Sequence, residues 1–216
     1  GIRTGWHIYL QSKGPETVHR IWPAGDNVYL SYRIGEFGLE YKFKVTDFTQ
    51  INAYINRKML IQAIDLLDLK GTERVLDLFC GLGNFTLAVA TKAKEVFGVE
   101  ISNEMVDRVM YNAMQNELVN VSAAAFDLTK PIELESWAKE LWDTLIIDPP
   151  RSGAKKVLEA LPMTNIQRIL YVSCNSETLA CDIKVLQDRG FRITHLGIID
   201  MFPNTSHAES MVMLTV

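Results

Sequence analysis

Three stretches of this 216-residue chain carry side chains whose types and spacing could do covalent chemistry. The first is Tyr171-Val172-Ser173-Cys174-Asn175, an apolar run that ends in a thiol. A helix is expected to start near Ser176, and a thiol at a helix N-terminus has its thiolate stabilised by the helix dipole, below the free value of about 8.5. Cysteine in general more often packs as a small hydrophobe. The second stretch is Leu145-Ile146-Ile147-Asp148-Pro149-Pro150-Arg151. Its two prolines fix an extended, rigid turn directly after an apolar run. That sets Asp148 and Arg151 outside the carboxyl end of a strand, where open α/β sheets bind ligands. A structural Pro-Pro turn with a surface arginine is the competing reading. A position at this edge, beside Asp148, favours Cys174 as a nucleophile. The third stretch runs from Asp200 to Ser210 and contains His207 and Glu209 in what reads as a loop between two strands. Glu209 could fold back over the same edge, although a loop His-x-Glu on its own reads as a solvated carboxylate.

A ligand-binding turn lies upstream. Val75-Leu76-Asp77-Leu78-Phe79-Cys80-Gly81-Leu82-Gly83-Asn84 reads as a strand entering a Gly-x-Gly turn that opens a helix. Glycines at 81 and 83 let backbone amides approach a ligand and permit turn angles closed to other residues. The third glycine of a dinucleotide fingerprint is replaced by Thr86, and no Gly-Lys-Ser/Thr follows, which excludes a P-loop. An ordinary strand-helix turn would look similar. Glu100 sharpens the reading: it ends the next strand, nineteen residues after Gly81, where a carboxylate can accept both hydroxyls of a ribose. Asp127 ends the third strand and could meet an adenine amino group, or stand solvated. An adenosine-type ligand is expected at this edge.

The elements that must position these residues are set by periodicity. Repeated β-α units predict strands at Arg74–Leu78, Glu95–Val99, Asn120–Phe126, Thr144–Ile147 and Ile169–Val172. Helices are expected at about Asn52–Leu69, Asn84–Thr91, Asn103–Asn116 and Glu177–Arg189, giving a doubly wound, mostly parallel sheet. Arg192–Ile199 and Ser210–Val216 predict an antiparallel finish. Before these, short β-rich pieces (Trp6–Leu10, Val18–Trp22, Val28–Tyr32 and Leu39–Val45) separated by Gly-containing turns predict hairpins. Four short strands are marginal alone and are expected to pack on the α/β domain or to belong to a larger unit. The division is therefore a β-rich piece over 1–46 and an α/β domain over 47–216.

Composition limits the function classes. Hydrophobic residues are 48% and charged residues 22%, too apolar for disorder, and no run approaches the ~18 apolar residues of a membrane span. Cys80, Cys174 and Cys181 are too few for a disulfide framework and lack zinc-site spacing, so no metal is expected. Cys80 and Cys181 are expected to be packing residues. With no signal peptide opening it, the chain is expected to be cytoplasmic, reduced, free of membrane and monomeric. Residue 1 is Gly, not Met, as expected of a shortened chain. Net charge is −4, but residues 1–60 carry eight Lys/Arg against five Asp/Glu. A weakly basic front on an acidic body leaves an RNA partner open.

Taken together, Asp-Leu-Phe-Cys-Gly-x-Gly-Asn-Phe at 77–85, Asp-Pro-Pro-Arg at 148–151, Ser-Cys-Asn at 173–175 and Asp-Met-Phe-Pro-x-Thr-x-His-x-Glu at 200–209 resemble the bacterial RNA uracil-5-methyltransferases. Phe48-Thr49-Gln50-Ile51-Asn52 is similar to the stretch preceding that family's methyltransferase domain, and the likeness is strongest to the branch acting on large-subunit (23S) ribosomal RNA. The resemblance runs from about residue 39 onward and implies a class I S-adenosylmethionine-dependent methyltransferase with a Rossmann-like sheet. It implies cofactor-binding positions at Gln50, Phe79, Asn84, Glu100 and Asp148, a nucleophile at Cys174 and a general base at Glu209. Arg151 would sit near the uracil or the cysteine. Full-length members add an oligonucleotide-binding barrel and a linker domain that often holds a four-cysteine iron–sulfur cluster. This chain has neither the barrel nor those cysteines, its first 46 residues resemble the rest of the linker domain, and weak RNA binding is expected.

The chemistry asks for this set independently. Carbon 5 of uracil is too poor a nucleophile to take a methyl group directly, and a thiolate adding at carbon 6 makes an enolate that is rich at carbon 5. Donors such as Arg151 or backbone amides must hold the developing charge on oxygen. A base must then remove the carbon-5 proton before the thiol leaves, which predicts a partly desolvated Glu209 with a raised pKa. The alternatives are transfer RNA as substrate, methylation of an exocyclic base nitrogen through the Asp-Pro-Pro turn, an NAD-dependent oxidoreductase, and a non-catalytic binding module. The oxidoreductase has no use for Cys174 and Glu209.

Overall fold

A computed structural model describes residues 6–23, 25, 29–205 and 208–216. Val28 of the third expected strand and His207 of the last motif lie outside them.

The alternating segments fold as expected. Five parallel strands, β5 (Arg74–Leu78), β6 (Glu95–Glu100), β7 (Val121–Ala125), β8 (Thr144–Ile147) and β9 (Arg168–Ser173), are completed by β10 (Arg192–Ile199) and β11 (Glu209–Thr215). The order across the sheet is β10-β11-β9-β8-β5-β6-β7, and β11 runs antiparallel to both its neighbours. From β5 the chain winds outward through β6 to β7, then returns to place β8 on the other side of β5. The carboxyl ends of β5 and β8 therefore flank the crevice where winding reverses, the usual place for a ligand in such a sheet.

Each face is covered by helices. Alternate strand residues (Val75, Val96, Ile146, Val172, Met211) pack with α1 (Ala53–Leu67), α2 (Asn84–Ala90) and α3 (Asn103–Gln115). The intervening ones (Leu76, Leu145, Ile147, Tyr171, Val212) pack with α4 (Lys155–Ala160) and α5 (Ser176–Asp188). Period-two alternation on strands buried on both faces produces these two cores. The sequence reading lacks α4, whose six residues span under two turns and offer too short a window for periodicity.

The front of the chain forms two antiparallel hairpins, β1 (Ile8–Leu10) with β2 (His19–Trp22) and β3 (Leu30–Ile34) with β4 (Leu39–Phe43). They differ in burial. Ile34, Leu39 and Tyr41 of the second hairpin sit in the α1–α3 core, while Ile8, Leu10, Ile21 and Trp22 of the first are exposed. No helix among the described residues is long and apolar enough to cross a membrane.

Candidate active site

Strand parity assembles the reactive side chains. Val75, Ile146, Val172 and Met211 point into the α1–α3 core, so the residues two positions nearer the carboxyl edge share that face. Those residues are Asp77, Asp148, Cys174 and, because β11 runs the other way, Glu209. Register brings the last two together. Ser210 pairs with Ser173 and Met211 with Val172, so Glu209 at the start of β11 and Cys174 just past the end of β9 both leave the last rung at the same edge. Glu209 is not in a loop, as the sequence suggested, but is the first residue of β11, and it is only 6% exposed.

Asp148, Cys174 and Glu209 border one cavity of about 470 Å³ together with the glycine turn. Burial raises the Glu209 carboxyl above its ordinary range. Burial, then the charges of Glu209 and Asp77, push Asp148 up to about 8. Asp77, 1% exposed, rises to about 7 through burial, although Thr86 Oγ1 donates to its Oδ2 at 2.6 Å. Its Oδ1 is buried without a partner.

At the other end of the cavity, the Gly81 and Ser102 N–H groups donate to the two Glu100 oxygens at 3.1 and 3.2 Å. The Glu100 carboxylate is thus fixed over the glycine turn, and each oxygen keeps a lone pair for a hydroxyl. Phe79 leaves β5 with φ 63°, a left-handed conformation that a bulky residue rarely adopts, and it borders the cavity. Gln50 lines the opposite wall with a buried Oε1 that has no partner.

The remaining expected residues divide. Asn84 borders the cavity, but its side chain exchanges two hydrogen bonds with Asn56, at 2.9 and 3.0 Å, and accepts one from Tyr32. Asp127 borders it too, with Oδ1 accepting from the Thr129 N–H and hydroxyl, and the hydroxyl bond holds this carboxyl below its usual range. Gly83 does not line the cavity. It is the N-cap of α2 at φ 93°, a left-handed conformation that favours glycine. Arg151 is exposed and outside the cavity lining, while its carbonyl accepts from Asn175 Nδ2 and Thr178 Oγ1 at 3.0 and 3.2 Å. These bonds tie the Pro-Pro turn to the start of α5, where Asn175 is the N-cap and Cys174 precedes it. Cys80 is buried against Gly98, as a packing residue should be, but Cys181 is exposed on α5, against expectation. No cluster of three or more His, Cys, Asp or Glu suited to a metal occurs among the described residues.

Sequence reasoning missed Tyr32, Thr49 and Met105 on the cavity wall and Asn56 behind it. Asn56 carried a usable signal, being an amide on the apolar face of α1, where a buried polar side chain requires a partner.

Residues 7–216 match the sequence profile of the family described as tRNA (Uracil-5-)-methyltransferase. The chain belongs to this family. One relative, the 23S rRNA (uracil(1939)-C(5))-methyltransferase RlmD of Alcanivorax borkumensis, is 47% identical over 97% of the chain. The chain spans about half the length of the curated relatives it matches, 47% and 48% for the first two. The Pyrococcus abyssi tRNA (uracil-54, C5)-methyltransferase, solved with S-adenosyl-L-homocysteine, is 26% identical with a TM-score of 0.73 over 87% of this chain and 44% of that one. Trm5b from the same organism is 18% identical with a TM-score of 0.69, covering 97% of this chain and 63% of its own, and supports the fold alone. The uracil-5-methyltransferase domain thus has the Rossmann-like methyltransferase sheet, with an antiparallel final strand.

Proposed function

We propose that this chain is the catalytic part of an enzyme that methylates carbon 5 of a uridine in 23S ribosomal RNA, using S-adenosylmethionine. The observation that carries the reading is that Cys174 and a buried Glu209 border one cavity together with the glycine turn. The 47% identity to an RlmD relative supports ribosomal over transfer RNA.

The cavity fits the cofactor. Gln50 Oε1 is a buried acceptor without a donor, and Glu100 offers two oxygens above a glycine cradle, which suits a ligand rich in amino and hydroxyl donors. Gln50, Phe79, Gly81, Asn84, Glu100, Asp127 and Asp148 would hold it. When bound, it supplies an electrophilic methyl group and a cationic centre. Cys174 Sγ adds to carbon 6 of the uracil, and the electron pair moves onto carbon 5 and the neighbouring carbonyl oxygen. Carbon 5 would use that pair for the bond to the methyl group, whose carbon–sulfur bond breaks to leave a neutral thioether. Glu209 then takes the carbon-5 proton, the double bond reforms, and the bond to Cys174 Sγ breaks to return the thiolate. A raised pKa makes Glu209 a stronger base than a solvated carboxylate.

The test is incubation with S-adenosylmethionine and either 23S rRNA fragments or transfer RNA, followed by nucleoside mass spectrometry. The reading expects 5-methyluridine in the ribosomal fragment. Methylated exocyclic nitrogen, or product only in transfer RNA, would overturn it.

A further inference from the structure

One row of α3 faces the front hairpin instead of solvent. Arg108, Asn112 and Asn116 stand at i, i+4 and i+8, and Arg108 and Asn112 are 3% and 0% exposed. Two of them act as a substitute strand. Lys42 N–H donates to Asn112 Oδ1 at 2.8 Å, and Asn112 Nδ2 donates back to the Lys42 carbonyl at 3.0 Å. Asn116 makes the same pair of bonds with Glu40, both at 2.8 Å. Four helical residues rise about 6 Å and two strand residues about 6.7 Å, so amides at i and i+4 match alternate residues of β4.

The third rung pins the segment after β4. Arg108 Nε donates to Asp47 Oδ2 at 2.9 Å, with both side chains buried, and the Arg108 guanidinium lies 4.3 Å from the centre of the Tyr29 ring. Asp47 also closes its own turn by accepting from the Lys44 N–H at 2.7 Å. Past Asp47 come Gln50 and then Asn52, whose side chain caps α1 by accepting from the Ile55 N–H at 3.2 Å. Gln50 is therefore held between two pins, three residues after Asp47 and two before Asn52. Buried amides and a buried ion pair are costly unless every group is satisfied, and a simple hairpin–helix contact would need only apolar side chains.

We propose that the Arg108–Asn112–Asn116 row is a positioning ladder that holds Gln50 on the wall of the cofactor cavity and thereby sets cofactor affinity without touching the cofactor. This rests on the reading that the cavity takes S-adenosylmethionine. The ladder makes the second hairpin part of the cofactor site, although its strands lie far from the glycine turn in sequence.

The test is calorimetric titration of S-adenosylhomocysteine into the wild-type chain, Asn112→Ala, Gln50→Ala and the double variant. Hydrogen exchange at the Glu40 and Lys42 amides reports the state of the ladder. Asn112→Ala loses two hydrogen bonds and is expected to weaken binding about fivefold or more. In the Gln50→Ala background that penalty should shrink below about twofold, because the ladder acts through Gln50. A penalty that is equal in both backgrounds, or faster exchange at Lys42 with unchanged affinity, would make the row a structural clamp only and overturn the proposal. Asn116→Ala, at the less buried end, gives the same comparison if Asn112→Ala does not fold. Failure of the wild type to bind would instead sink the cofactor reading, and the ladder's role with it.

Discussion

The two edges of the central sheet use the same residue types to opposite effect. At the amino edge, Arg74 Nε donates to Glu95 at 2.8 Å, its guanidinium also reaches Glu140, and it lies 4.6 Å from the Trp142 ring centre. The Arg74 hydrogen bond holds Glu95 below its usual range. At the carboxyl edge, Asp77 and Glu209 are buried and Asp148 is half-buried, and desolvation raises all three carboxyls. A partly solvated carboxylate beside a cation keeps its charged form; one desolvated by burial stores proton affinity, and that is where catalytic acids and bases are found. The carboxyl edge is the half of the sheet arranged for chemistry at the expense of its own charged form.

The largest break of this contrast should come from the nucleophile. Cys174→Ala should lower methyl transfer to background while leaving S-adenosylhomocysteine affinity within about twofold, which titration and product assay together check. Glu209→Gln should slow turnover by about 10²–10⁴-fold. It should also leave a denaturation-resistant protein–RNA species on ordinary uridine RNA, visible by intact mass, because the carbon-5 proton stays in place.

The raised carboxyls predict a direction for stability against pH. A carboxyl whose folded pKa lies above its unfolded value binds more protons in the native state between the two, so stability falls as pH rises through that window. For Asp77 and Asp148 the window runs from about 4 to about 7 and about 8. Melting temperature of the ligand-free chain should therefore decline from pH 5 to pH 8, and Asp77→Asn should flatten that decline. A decline of unchanged slope in Asp77→Asn would remove Asp77 from the account. The smallest effect should come from the amino edge. Arg74→Gln breaks partly solvated pairs and should cost about 0.5–1 kcal/mol in denaturant unfolding, with methyl transfer unchanged.

Much of this contrast was legible in the sequence. Apolar runs bounded by Gly81, Pro149 and Asn175 mark strand ends directly, because glycine, proline and capping residues act locally. Cys174 and Asp148 could thus be assigned to one edge before any coordinates. Glu209 was harder: its burial depends on an antiparallel register with β9, a pairing across 35 residues that no local pattern encodes. The amide rows were invisible for a related reason. Asn112 and Asn116 look like ordinary helix-surface residues, and only the docked hairpin brings them inward, whereas Asn56 stands on the apolar face of α1. Gly83, read from the turn motif as a ligand contact, lies between the wall residues Leu82 and Asn84 and caps α2 in a left-handed conformation.

The most direct test of the central claim uses RNA with 5-fluorouridine at the target position. Fluorine at carbon 5 leaves Glu209 no proton to remove, so addition by Cys174 cannot be undone after methylation. With S-adenosylmethionine and RNA in excess, intact mass after denaturation should show the chain carrying one methylated RNA, and Cys174→Ala should show none. An adduct that survives in Cys174→Ala, or wild-type product formation with no adduct, would contradict a covalent mechanism built on Cys174 and Glu209.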